Sequence, residues 1–140
     1  MCIRDRGCRD TLRLEAGMHL YGSEMDTTTT PYEASLGWIV NSTKEYIGKT
    51  ILDNQKKNGI DKKLVALKLT KRNIARHDYP IMNEDIVIGK VTSGTWSPSL
   101  SVPIALAYVP TELSKVGSVV NVKIRGKLEA ATVVKKPFYC

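Results

Sequence analysis

The sequence predicts an α+β segment followed by an all-β part that closes as a small antiparallel barrel or sandwich. Three observations predict it. Up to about residue 60, apolar residues recur at helical spacing between polar loops. Beyond Asp61 the pattern changes to short runs rich in Val, Ile, Leu and Thr. Turn signals separate those runs: Asn83-Glu84-Asp85, Ser97-Pro98-Ser99, Pro110 and Gly126.

Taken in order, Arg9 to Ala16 (R-D-T-L-R-L-E-A) is built of good helix formers, and Gly17 stands where a helix stops. Arg9 and Arg13 share one face at i,i+4 spacing. Asp26 to Pro31 (D-T-T-T-T-P) is a loop, its last threonine held extended by the proline that follows. Leu36 to Val40 is expected as a short strand. Tyr46 to Asn58 is expected as a helix with Ile47, Ile51 and Leu52 on one side and Lys56 and Lys57 before Gly59. The β-like runs are Lys63–Thr70, Ile86–Ser93, Val102–Val109, Ser118–Ile124 and Ala130–Lys135, five or six strands in all.

With 140 residues, 42% of them hydrophobic and 25% charged, the chain has the composition of a folded globular protein, which excludes disorder and fibrous repeats. The longest apolar stretch, Ile104 to Val109, is far short of the ~20 residues of a membrane-spanning helix. No secretory leader pattern is present, so a reducing, cytoplasmic compartment is expected. Cys2, Cys8 and Cys140 are odd in number and lie near the ends, which supports neither a disulfide framework nor a metal site. The net charge of +7 is concentrated: Lys44 to Arg76 holds ten Lys or Arg and three Asp or Glu. Such a segment attracts an anionic partner or is a solvated helix face.

Most motifs have plain readings. Gly48-Lys49-Thr50 lacks the glycine five residues earlier that a phosphate loop needs, Thr43 standing there. His19 and His77 have no Cys or His at metal spacing, and His77-Asp78 has no nucleophile context. Trp96, in T-S-G-T-W-S-P, suits the rim of a barrel, and composition favours packing for Trp38 as well. Five acidic residues between Asp10 and Glu33 are not spaced as a general acid–base pair. Residues 1–6 match the codon string ATG TGT ATA AGA GAC AG, which resembles a transposon-end sequencing adaptor read through as protein, so the natural sequence is expected to begin near Gly7.

Several segments together resemble the aminomethyltransferase, or T-protein, of the glycine cleavage system. They are G-C-R-D-T-L-R-L-E-A-G-M-H-L-Y-G at Gly7 to Gly22, T-T-P-Y-E-A-S-L-G-W at Thr29 to Trp38 and Y-I-G-K at Tyr46 to Lys49. They continue with G-K-V-T-S-G-T-W-S-P at Gly89 to Pro98 and I-A-L-A-Y-V-P at Ile104 to Pro110. The resemblance implies that residues 7–60 are the end of a folate-binding α+β domain and 61–140 its C-terminal β-barrel. It implies transfer of an aminomethyl carbon from the lipoyl arm of H-protein to tetrahydrofolate, releasing ammonia and methylene-tetrahydrofolate, in the cytoplasm or, in a eukaryote, the mitochondrial matrix. Arg9 matches the arginine of the family's R-D pair and Trp38 the tryptophan of its G-L-G-W string, both folate contacts; no metal is implied.

Only the last third or so of the family is matched, and the family's catalytic aspartate has no counterpart, so no catalytic residue is assigned. The chain alone is expected to be silent in catalysis and to expose apolar surface at Leu12, Leu14 and Leu36. Its lysines from Lys44 onward are expected to steer folate carboxylates or an acidic carrier. Rival readings are the folate-binding tail of a dimethylglycine or sarcosine dehydrogenase, and a non-enzymatic basic barrel binding RNA. No aromatic is interleaved with the lysines between Tyr46 and Arg76, which tells against the last.

Overall fold

The structure, a computed structural model, describes residues 3–139. Met1, Cys2 and Cys140 lie outside the described residues, as do the side chains of residues 3–6, and with them most of the adaptor-like stretch. Helix α1 (Ile3–Glu15) leads into a long wrapping segment that contains helix α2 (Lys49–Asn58). Six strands follow: β1 (Lys62–Leu69), β2 (Pro80–Asn83), β3 (Ile86–Ser97), β4 (Val102–Pro110), β5 (Val119–Ile124) and β6 (Lys127–Val134). They form a closed antiparallel barrel in the order β1-β4-β3-β2-β5-β6. The ring closes where Ala66 of β1 faces Val134 of β6.

Alternation along the strands produces two cores. Inside the barrel lie Val65, Leu67 and Leu69 of β1, Ala105, Ala107 and Val109 of β4, and Val120, Val122 and Ile124 of β5. The intervening residues Leu64, Ala66, Ile104 and Leu106 point outward and are covered by Leu14 of α1. Strands β1 and β4 are thus buried on both faces, which is why they read as continuous apolar runs. Each such fully buried Leu or Ile contributes roughly 1.5–3 kcal/mol by leaving water.

Helix α1 ends as Gly17 requires. With φ of 69°, Gly17 donates its N–H to Leu14 O, and Met18 N–H reaches back to Arg13 O. That pair of bonds turns the chain sharply. Leu14 is a correction to the expected exposed surface: it is completely buried, whereas Leu12 is 64% exposed.

Three other expectations change. Leu36–Val40 is not a strand: Gly37–Ile39 form a single 3-10 turn. The ring of Tyr32 lies so close to Gly37 that a Cβ there would sit 2.8 Å from it, and no neighbouring strand offers this segment a ladder. The second helix starts at Lys49, because Gly48 takes φ of 88° and breaks the run from Tyr46. Strand β2 escapes sequence patterning because it has four residues and opens with a proline, a residue a strand tolerates at its first position.

Candidate functional site

Two buried carboxylates hold α1 to the barrel. Glu24, with no exposed surface, accepts hydrogen bonds from Arg13 Nη1 at 2.6 Å, Leu20 N at 2.8 Å and Thr92 Oγ1 at 3.0 Å. Arg13 also donates to Asp10 Oδ1 and, at 2.9 Å, to Ser93 Oγ. One guanidinium therefore joins the helix, the turn after it and strand β3. Glu15, also buried, accepts from the hydroxyls of Ser97 and Ser99 and from Ser99 N, while its carbonyl accepts from Phe138 N and Tyr139 N. The two charges that look incidental in R-L-E are thus the fasteners of the helix.

With its inner residues committed in this way, α1 leaves Arg9 exposed. Trp38, at the apex of the 3-10 turn, is 82% exposed. The described residues therefore do not provide the packing that composition favours for it. It borders a cavity of about 350 Å³ with Tyr32, Gln55, Lys56 and Lys63. Gln55 Oε1 is buried and has no hydrogen-bond partner among the described residues. An aromatic face and two cations at one rim suit a flat heterocycle with an anionic tail. Arg9 does not line this cavity, so the structure does not bring the two sequence-predicted residues together in it. A second, more apolar cavity of about 580 Å³ lies between Pro31, Ile39, Val40 and α2, where Ile47 and Ile51 are exposed. Of the apolar surface expected at Leu12, Leu14 and Leu36, only Leu12 is exposed, and Leu36 is half-buried.

Among the described residues no group of His, Cys, Asp and Glu is arranged to hold a metal ion, and no helix is long and apolar enough to cross a membrane. His77 Nδ1 sits 2.6 Å from Thr92 O, and its Nε2 lies 3.3 Å from Asp78. His19 donates from Nε2 to Ala34 O at 2.8 Å.

Burial and the nearby Lys136 ammonium hold the His19 imidazole below its usual value. The hydrogen bond from Ser97, with those from Ser99, holds the Glu15 carboxyl down against the opposing effect of burial. In both cases the folded state refuses a proton that the unfolded chain accepts, so stability is fully present above the unfolded value and lost as pH falls through the folded one. Denaturant midpoints measured from about pH 8 downward should therefore decline first below about pH 6.5. A second decline should follow in the carboxylate range. A His19→Gln chain should lack the first decline and keep the second; an unchanged profile would show that His19 is not its source.

The residues also match known proteins. The glycine cleavage T-protein C-terminal barrel domain matches residues 62–139, and the GCVT N-terminal domain matches 4–44. The chain is 56% identical to an aminomethyltransferase of Parasynechococcus marenigrum over 95% of its own length and 37% of that protein's. An aminomethyltransferase of Synechocystis is 56% identical over 95% of this chain and 36% of its own. The crystal structure of glycine cleavage system aminomethyltransferase T from Bartonella henselae superposes with a TM-score of 0.90 at 33% identity, over 95% of this chain and 38% of that one. The chain thus spans little more than a third of the relatives it matches. By the barrel match over more than half of its length, the chain belongs to the glycine cleavage T-protein family.

Proposed function

We propose that this chain supplies the folate-facing rim and the barrel of an aminomethyltransferase. In that whole protein the aminomethyl carbon passes from the lipoyl arm of H-protein to tetrahydrofolate, with release of ammonia. The observation that carries the proposal is Trp38. An indole left 82% exposed beside an unpartnered acceptor costs solvation unless a ligand or a further part of the protein covers it.

In this reading Trp38 stacks against the folate ring system, and Arg9 donates directional, charge-assisted hydrogen bonds to a polar folate group. Lys56 and Lys63 at the cavity rim favour the glutamate tail by charge. The chain's contribution is positioning: α1 is pinned by Glu15 and Glu24, so Arg9 is offered from a rigid support. No residue here is given a proton-transfer role, and the 140-residue chain alone is expected to catalyse no transfer. Residues 7–60 act as the end of the folate-binding domain and 61–140 as the barrel, in a cytoplasmic or, in a eukaryote, mitochondrial matrix setting.

The test is a chimera in which residues 7–140 replace the matching part of the Parasynechococcus relative. It should release ammonia from aminomethylated H-protein only when tetrahydrofolate is present; a folded but inactive chimera would refute the proposed function. Arg9→Ala in it should raise KM for tetrahydrofolate about 10- to 100-fold, the worth of a hydrogen bond to a charged group. An unchanged KM would remove Arg9 from the folate site while leaving the activity standing.

A further inference from the structure

Lys136, two residues beyond β6, faces a donor where its ammonium needs an acceptor. Among the described residues, the one polar atom within hydrogen-bond distance of its Nζ is His19 Nε2, at 3.5 Å. That nitrogen lies 2.8 Å from Ala34 O, and a carbonyl oxygen only accepts, so Nε2 carries a proton and donates it to Ala34. A lysine ammonium has donors and no acceptor, so the two nitrogens meet as donor against donor. No carboxylate pairs with Lys136 among the described residues. Of the charges that act on it, Glu24 is already bound to Arg13 at 2.6 Å, and Lys63 of β1 is a second cation.

The side chain is also held where it is. Its stem runs along the turn that ends α1: a Cβ added to Gly17 would stand 3.3, 3.4 and 3.5 Å from Lys136 Cβ, Cγ and Cδ. The residue is half-buried, and burial together with the Lys63 ammonium holds its amine below the ordinary lysine value, with Glu24 opposing. Lysines shift in this way when water is withdrawn, and the neutral amine that results is a nucleophile. The clash with His19 has one chemical resolution that also suits the charges. An adduct that makes Nζ the root of an anion replaces the misplaced donor by an acceptor, beside the His19 N–H and in the field of Lys63.

We propose that Lys136 is a modification site for carbon dioxide, forming a carbamate on Nζ. The neutral amine attacks the carbon of carbon dioxide and a C–N bond forms. One C–O π pair moves onto oxygen, and the displaced N–H proton goes to solvent. An amine and carbon dioxide thus become a carbamate anion and a proton, and nothing is oxidised or reduced. Carbon dioxide suits the place because a linear triatomic molecule reaches a half-buried amine and because its adduct is anionic, whereas an acyl adduct is neutral and gains nothing from Lys63. The adduct fastens the turn after α1 and the Ala34 segment to the chain leaving β6. Lys136 does not line the Trp38 cavity, and the site stands whether or not the folate reading holds.

The test incubates the 140-residue chain with isotope-labelled bicarbonate, in equilibrium with carbon dioxide, at about pH 8, fixes carbamates with an alkylating trap and maps them by peptide mass spectrometry. The α-amino group, which titrates near that pH, is the positive control. Lys136 should carry about tenfold or more label than the exposed Lys123 and Lys127, the ratio that one pKa unit gives. Lys63→Gln should cut the label on Lys136 about threefold or more while the denaturant midpoint is kept. In Lys136→Arg, which keeps the charge and removes the nucleophile, the adduct should be lost. Bicarbonate should raise the denaturant midpoint of the parent chain over chloride at equal ionic strength, and should not do so for Lys136→Arg. Even labelling of all lysines, or a labelled α-amino group with none on Lys136, would overturn the proposal. So would undiminished label in Lys63→Gln, or an equal bicarbonate effect on Lys136→Arg.

Discussion

Glu24→Ala is expected to lower unfolding free energy by about 3–5 kcal/mol, the usual result of removing one partner of a buried pair. The loss has three parts. Arg13, whose side chain is 15% exposed, keeps its charge without its buried counter-ion. Leu20 N and Thr92 Oγ1 lose the carboxylate they share. A cavity is left where a fully buried side chain stood. Single domains have only about 5–15 kcal/mol in hand, so much of the chain should be unfolded at 37 °C. Chemical denaturation followed by near-UV circular dichroism measures this directly. Apolar replacement of both Arg13 and Glu24 should recover only part of the loss, although such double replacements are often neutral elsewhere. The reason is that the two orphaned donors remain. Full recovery would mean that the ion pair alone sets the cost.

The second large effect is expected from a single methyl group. A Cβ on Gly94 would lie 2.1 Å from Ala75 O, a backbone atom that cannot turn aside. Ala75 is fully buried and carries the β1–β2 loop across one mouth of the barrel. Gly94→Ala must therefore push β3 and that loop apart. Overpacking typically costs 1–3 kcal/mol, and a rigid backbone neighbour puts this case at or above about 3 kcal/mol. Gly7→Ala is the control, since nothing lies within 4 Å of its added Cβ. It sits in the interior of α1, where alanine is favoured by about 0.5–1 kcal/mol. Opposite signs for the two variants in thermal melts would support this account; equal melting temperatures would refute it.

The barrel was legible because its strands obey local rules. The run from Lys63 to Thr70, the run from Val102 to Val109 and the turn at Gly126 can each be recognised without knowing what they touch. What stayed hidden depends on distant partners. Glu24 looks like any loop acid until Thr92 and Arg13 close around it, and Glu15 looks like a helix surface charge until Ser97 and Ser99 arrive. The one local hint was two charges flanking a leucine, at helix positions that turned out to be inward. For the site, the family resemblance pointed to Arg9 and Trp38, but neither spacing nor composition shows that an indole will stand in solvent. That follows from the closeness of Tyr32 and Gly37, which turns the chain before Trp38. Gln55 had no sequence signal, because an amide is ordinary on a helix until its oxygen is buried alone.

The ring closure also sets an order of events during synthesis. Ala66 faces Val134, and Glu15 accepts hydrogen bonds from Phe138 and Tyr139, so helix α1 is completed by residues made long after it. At roughly 5–20 residues per second, the ribosome holds β1 for several seconds as an apolar strand with one or both edges open. Strands β3 and β4 form a hairpin and can pair as they emerge, but β1 cannot be sealed until β6 has left the exit tunnel. A nascent chain stalled before Ala131 thus presents the unpaired β6-side edge of β1, and the strand order alone fixes how long that edge stays open.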